Sequence, residues 1–210
     1  MVVENQTSHQ TKKDILAPIR PDMARLNDVV RTTLHSEVPL VNQVAEYLIN
    51  AGGKRLRPAI HLLLTRALQK TCPDTAYTLA AVVEFIHTST LLHDDVVDES
   101  DLRRGRQTAN ALFGNAASVL VGDFLYSRTF QMMVSVQNMR VMEILADATN
   151  VIAEGEVLQL LNVHDPDVTE ARYMQVIHYK TARLFEASAQ LSAVMSACTP
   201  EQENACAAYG

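Results

Sequence analysis

The stretch from Leu79 to Leu92 is apolar or small on nearly every side of a helical wheel, with Glu84 and His87 as the conspicuous polar interruptions. A helix without a polar face belongs in the centre of a bundle, surrounded by other elements. This one lies in a span free of proline, Asp74 to Asp165, far too long for one helix but suited to several with short links. The predicted order is helices over Pro21–Ser36, Val41–Asn50, Arg57–Pro58 to before Pro73, and Asp74–Glu99. Further helices are expected at Gln107–Phe113, Ala116–Val136, Met139–Leu161, Thr169–Ala197 and from Pro200 onward. No hairpin dipeptide or strand alternation stands out, and Glu99–Gly105 reads as a loop. Trp is absent and aromatics make up 5%, so the core is built from Leu, Val, Ile, Ala and Met. That composition favours packed helices over a β-sandwich. The expected fold class is all-α.

The 210 residues carry 18 Lys+Arg against 24 Asp+Glu, a net charge of -6, which argues against a general nucleic-acid binder. At 48% apolar and 20% charged the chain has the proportions of an ordinary globular protein. No apolar run is long enough for a transmembrane helix. Met1–Asp14 is polar, lacks a secretory h-region and reads as a frayed tail, and residues 1–20 are assigned to an N-terminal tail. Cys72, Cys198 and Cys206 have no metal-ligand spacing and read as thiols in a reducing cytosol.

Chemistry enters at the end of the apolar helix, in His93-Asp94-Asp95-Val96-Val97-Asp98. Asp94 and Asp98 lie one turn apart on one face. Two carboxylates about 5 Å apart repel by about 3 kcal/mol at an effective dielectric near 20. Either they decorate a solvated helix end, or a hard divalent cation such as Mg²⁺ compensates them. Arg103-Arg104-Gly105 follows closely, and arginine forks beside a carboxylate–metal site suit a polyphosphate ligand. A second cluster, Gly52-Gly53-Lys54-Arg55-Leu56-Arg57-Pro58, opens a helix. Cations there are unfavourable against the positive end of the helix dipole unless an anion is bound. A plain charged helix start is the competing reading. Two cationic clusters around one metal site point to two phosphorylated ligands.

The ordered motifs Gly53-Lys54-Arg55-Leu56-Arg57-Pro58, Leu91-Leu92-His93-Asp94-Asp95-Val96-Val97-Asp98, Arg103-Arg104-Gly105, Gly122-Asp123-Phe124-Leu125, Gly155-Glu156-Val157-Leu158-Gln159 and Lys180-Thr181-Ala182 resemble the trans-isoprenyl diphosphate synthases. Within that family the chain is most similar to the bacterial octaprenyl branch, over about Leu26 to Gly210. The resemblance implies an isoprenoid-synthase-type helical bundle around a central product tunnel. The implied activity condenses isopentenyl diphosphate with an allylic diphosphate into a long all-trans polyprenyl diphosphate for quinone side chains. It implies Mg²⁺ on Asp94, Asp95 and Asp98, which also count as catalytic with Arg103 and Lys180. Lys54, Arg55, His87 and Arg104 are implied around isopentenyl diphosphate, and Arg103, Gln159, Lys180 and Thr181 around the allylic diphosphate. His87 has a competing reading as a hydrogen-bonded core histidine. Ser89 and Thr90 stand where short-chain members carry large aromatics, so small residues there leave room for a long product. Met132 and Met133, with Leu125 and Phe130, are candidates for the tunnel wall, or plain core. A cytoplasmic homodimer is the implied assembly.

The family's second aspartate-rich motif has no counterpart before Gly210. The expectation is therefore a C-terminally truncated chain, with residues 21–210 forming the N-terminal two-thirds of one domain and inactive alone. The alternative is a non-catalytic or regulatory subunit of a heteromeric prenyl synthase, which would be expected to lose its aspartates or basic motifs. A terpene cyclase would share the acidic motif but would not need the pocket at Gly53-Lys54-Arg55.

Overall fold

A computed structural model describes residues 15–210. The expectation for Met1–Asp14 lies outside the described residues. A 3₁₀ turn at Ala17–Ile19 leads into α1 (Arg20–Thr33). Ile19 is fully buried, so the expected tail is too long at its inner end: the core already begins there. α2 (Pro39–Ala51) starts on a proline whose missing N–H would be unpaired in a first turn anyway. α3 (Leu56–Gln69) follows, then α4 (Asp74–Val97).

Helix α4 is the hub. Leu79, Ala80, Ala81, Val82 and Val83 are buried in succession, which requires neighbours on every side. Helices α1, α3, α6 (Asn115–Ser135) and α9 (Arg183–Met195) supply them. Small residues on α4 let those neighbours approach, and Phe85, Ile86 and Leu92 fill the space between.

The remaining elements are the short α5 (Ala109–Phe113), α7 (Met139–Leu161), α8 (Glu170–Ile177) and α10 (Pro200–Tyr209). Their starts are capped as the sequence dictates. Asn138 accepts from the N–H groups of Arg140 and Val141, and Thr199 with Gln202 forms a reciprocal capping box.

Two departures from the sequence reading matter for the site. The expected loop Glu99–Gly105 contains half of a small antiparallel hairpin, β1 (Leu102–Arg103) with β2 (Arg106–Gln107). Its two-residue turn, Arg104-Gly105, has positive φ at both positions, as a turn matching strand twist requires. The expected single helix Thr169–Ala197 runs on without a gap, but its α register shifts at a π-turn over His178–Ala182, which joins α8 to α9. No helix among the described residues is long and apolar enough to cross a membrane.

Candidate active site

Helix α4 separates two cavities of opposite character. The first, about 220 Å³, lies between α4, the start of α3 and the hairpin. Lys54, Arg55, Arg57, Arg103, Arg104 and Arg106 line it against only two carboxylates, Glu84 and Asp95. Six cations against two anions make an anion site. The backbone is bent to build it: Arg55 and Arg104 both have left-handed φ, at 46° and 53°, a conformation that costs energy without glycine.

Four of the cations are placed by distinct contacts. Arg55 donates to Asn27 Oδ1 and lies 3.8 Å from Glu84 Oε1. Arg103 donates from Nε and Nη2 to Asp95 Oδ1 at 2.9 and 2.7 Å. Arg104 donates to the Gly52 carbonyl oxygen at 2.8 Å. Arg57 stacks its guanidinium 4.3 Å over the Phe185 ring, and its buried Nε has no hydrogen-bond partner. Burial lowers the Arg57 pKa, partly offset by Glu84. Burial raises the Glu84 pKa against the pull of Arg55, Arg57 and Arg104. His87 lines the same cavity, its pKa pushed down to about 4 by burial and by the positive charges of Arg57, Arg104 and Arg103. It is neutral at pH 7, so the arginines and Lys54 carry the charge.

The second cavity is a cleft of about 820 Å³ between α4, α6 and α7. Ile86, Tyr126, Ile152, Val157 and Leu160 give it an apolar lining, and Asp94, Asp98 and Glu156 give it acidic groups. Ser89 lines it while donating to the Gly122 carbonyl oxygen at 2.8 Å, and Thr90 lines it while donating to the His87 carbonyl oxygen at 2.9 Å. Burial raises the Asp94 pKa, countered by Lys180, whose Nζ lies 3.3 Å from Asp94 Oδ2. The same Nζ donates to Glu156 Oε2 at 2.6 Å. Burial works against the Lys180 charge, but the Glu156 hydrogen bond and the Asp94 charge raise its pKa. Gln159 lines the cleft and also a neighbouring cavity of about 580 Å³ shared with Lys180 and Thr181.

The sequence-predicted residues are thus divided. Asp94 and Asp98 come together on the cleft. Asp95 does not join them: it is 4% exposed and its carboxylate holds Arg103 on the other side of α4. A helix turns about 100° per residue, so neighbours at 94 and 95 cannot share a face. Met132 and Met133 do not line the cleft either. Both are buried in the hydrophobic core, as is Leu125, because α6 turns them into the packed interior. Phe130 is exposed on one side and meets Tyr126 edge-on, with ring centroids 5.2 Å apart. Arg57, read from the sequence as part of the basic cluster, lines the first cavity, whereas sequence reasoning misses Glu84, Tyr126 and Glu156 as site residues. A signal for one of them is present, since Glu84 is a lone acid in an apolar helix.

The donor chemistry at Asp94 and Asp98 suits Mg²⁺. Among the described residues no three His, Cys, Asp or Glu side chains form a ready metal cage. Two carboxylates one turn apart leave room for the waters and phosphate oxygens that Mg²⁺ retains.

Residues 38–210 match the family model "Polyprenyl synthetase". The chain belongs to the polyprenyl synthetase family. It is 58% identical over 189 residues to octaprenyl diphosphate synthase of Escherichia coli, covering 90% of this chain and 58% of that protein. It is 54% identical over 190 residues to the octaprenyl diphosphate synthase of Haemophilus influenzae, covering 90% of this chain and 57% of that protein. Among solved structures, decaprenyl diphosphate synthase from Rhodobacter capsulatus superposes with a TM-score of 0.90 at 48% identity, covering 94% of this chain and 61% of that one. A polyprenyl synthase from Caulobacter crescentus, complexed with calcium and isoprenyl diphosphate, gives 0.89 at 45% identity, covering 94% and 60%. The chain therefore spans about three-fifths of the length of these relatives.

Proposed function

We propose that this chain carries the substrate sites of a long-chain polyprenyl diphosphate synthase of octaprenyl type. The observation that supports this most is the pair of cavities on either side of α4, one cationic and small, the other apolar with carboxylates. Two diphosphate substrates, one of them with a growing hydrocarbon tail, call for that division.

In this reading isopentenyl diphosphate binds the basic cavity. Lys54, Arg57 and Arg104 hold its diphosphate, and neutral His87 adds a hydrogen bond. Arg55 keeps its implied place there, steadied by Glu84. The allylic diphosphate binds at the cleft, where Asp94 and Asp98 would hold Mg²⁺. Mg²⁺ bound there supplies positive charge against the departing diphosphate. Lys180, Thr181 and Gln159 orient and neutralise that diphosphate, while Arg103, expected there, is aimed by Asp95 into the basic cavity instead. Electrostatic stabilisation of this kind lets the allylic C–O bond ionise without a protein nucleophile. The isopentenyl double bond then attacks the allylic carbon that the diphosphate has left, forming the new C–C bond, and the released diphosphate takes the proton whose loss restores an allylic diphosphate. Ile86, Ile152 and Leu160 keep water from the cation.

Small Ser89 and Thr90 leave the cleft open for elongation. The exposed apolar residues Leu120 and Val134 on α6 fit a homodimer contact. A cytoplasmic location completes the proposal, with the residues from Ile19 onward belonging to one domain.

The test is a chimera in which this chain replaces the matched segment of the E. coli relative. With Mg²⁺, isopentenyl diphosphate and a short allylic primer it is expected to make long-chain product. A chimera that folds, binds neither diphosphate and makes no product overturns the reading. In the same chimera Ser89→Phe is expected to shorten the product, as read by mass spectrometry. Unchanged length removes Ser89 from the tunnel.

A further inference from the structure

Glu156 belongs to neither the aspartate motif nor the basic clusters, yet it makes the shortest polar contact in the cleft. Its Oε2 accepts from Lys180 at 2.6 Å, while Asp94 Oδ2 is 3.3 Å from the same nitrogen. Three carboxylates from two helices act on one another here. Burial raises the Glu156 pKa, and the charges of Asp94 and Asp98 add to that rise against the pull of Lys180. Lys180 is the ammonium between them.

The local backbone is arranged for this contact. Lys180 sits in the π-turn, which bulges it out of the α8–α9 line toward α7. On α7 the residue before Glu156 is Gly155. A Cβ there would come within 2.8 Å of the Tyr179 Cβ and 2.9 Å of the Lys180 backbone nitrogen. Only glycine lets the π-turn approach closely enough for Glu156 to reach the ammonium.

We propose that Glu156 is a positioning residue that tethers Lys180 beside Asp94, so that the ammonium serves as the resident cation of the carboxylates. A divalent ion arriving at Asp94 and Asp98 displaces Lys180 from Asp94 but not from Glu156. Lys180 then stays in the cleft, beside the diphosphate that enters with the metal. This rests on the reading of Asp94 and Asp98 as the metal-holding pair.

The experiment titrates the 210-residue chain with Mn²⁺ alone, standing in for Mg²⁺, and follows free Mn²⁺ by electron paramagnetic resonance. Lys180→Met removes the competing cation and is expected to tighten Mn²⁺ about tenfold. Glu156→Gln leaves Lys180 wholly on Asp94 and is expected to weaken Mn²⁺. The decisive quantity is the coupling between the two. Glu156→Gln should weaken Mn²⁺ at least about threefold more with Lys180 present than in the Lys180→Met background. Equal weakening in both backgrounds would make Glu156 a metal ligand or a bystander charge, and would overturn the proposal.

Asp94→Asn added to Lys180→Met separates the underlying reading, because it should abolish Mn²⁺ binding. Persistent binding there defeats the metal assignment itself. Thermal melting confirms that each variant is folded. If Glu156→Gln does not fold, Glu156→Asp takes its place and must show a smaller coupling of the same sign.

Discussion

The two cavities flanking α4 are built on opposite plans. In the basic cavity the charges are fixed by the fold. Asp95 holds Arg103, Glu84 lies under Arg55, Arg57 and Arg104, and strained backbone at Arg55 and Arg104 is held in place by the surrounding packing. In the cleft the lining is apolar and the charged groups pair provisionally, through one lysine shared by Asp94 and Glu156. The first plan suits a ligand that is the same in every cycle. The second suits one whose tail lengthens and whose diphosphate must leave.

The comparison breaks most visibly if one side can be silenced alone. Asp94→Asn in the chimera is expected to lower product formation by about 10²–10³-fold, the scale of removing one charge-stabilising group. Isopentenyl diphosphate binding to the chain, measured by calorimetry, should be unchanged. Next in size, Arg57→Met should weaken that binding about 10–100-fold, in line with about 1.5–3 kcal/mol for a charged hydrogen bond. Mn²⁺ affinity at the cleft should stay as it was, and a joint loss would show that the cavities are not separate.

Asp95→Asn probes the pair that anchors the hairpin. Asp95 is buried but Arg103 is partly exposed, so the cost falls between surface and buried pairs, about 1–2 kcal/mol in thermal melting. A variant as stable as the parent would mean that Asp95 does not hold the hairpin. The smallest effect is one of pH. The His87 pKa is about 4 in the folded chain, below its unfolded value. The unfolded chain therefore takes up the proton first, so the stability is complete above about pH 6.5 and is lost as pH falls toward 4. The loss between about pH 7 and 6 is about 0.5–1 kcal/mol from this group. His61, also at about 4, adds a similar slope from the core. His87→Gln should flatten the fall but not abolish it, as melting temperatures across that range would show.

Much of this is legible in the residues. The expected helix Met139–Leu161 matches the observed one to the residue, and Asp74–Glu99 and Ala116–Val136 come within two of the observed ends. Capping residues and an all-apolar stretch are local signals, strong enough to survive folding. The hairpin escapes a sequence reading because its turn places Arg, not Asn or Asp, in the left-handed region. The π-turn escapes it because His178-Tyr179-Lys180-Thr181-Ala182 is compatible with an ordinary helix. What breaks the register is the fit against Gly155, a contact made across the fold. Asp95 falls among the expected metal ligands because a motif is written as a line, whereas a helix sends adjacent residues to different neighbours.

The π-turn also sets how this chain can vary in length. It carries one residue more than the helical repeat, so deleting one of His178–Ala182 would close the bulge into a regular α-helix with its two flanks still in register. Leu184, Ala187 and Leu191 would keep their places in the core, but the bulge that carries Lys180 to Glu156 would be gone. The segment can therefore lose a residue without losing the fold, but not without losing the contact it was built to make.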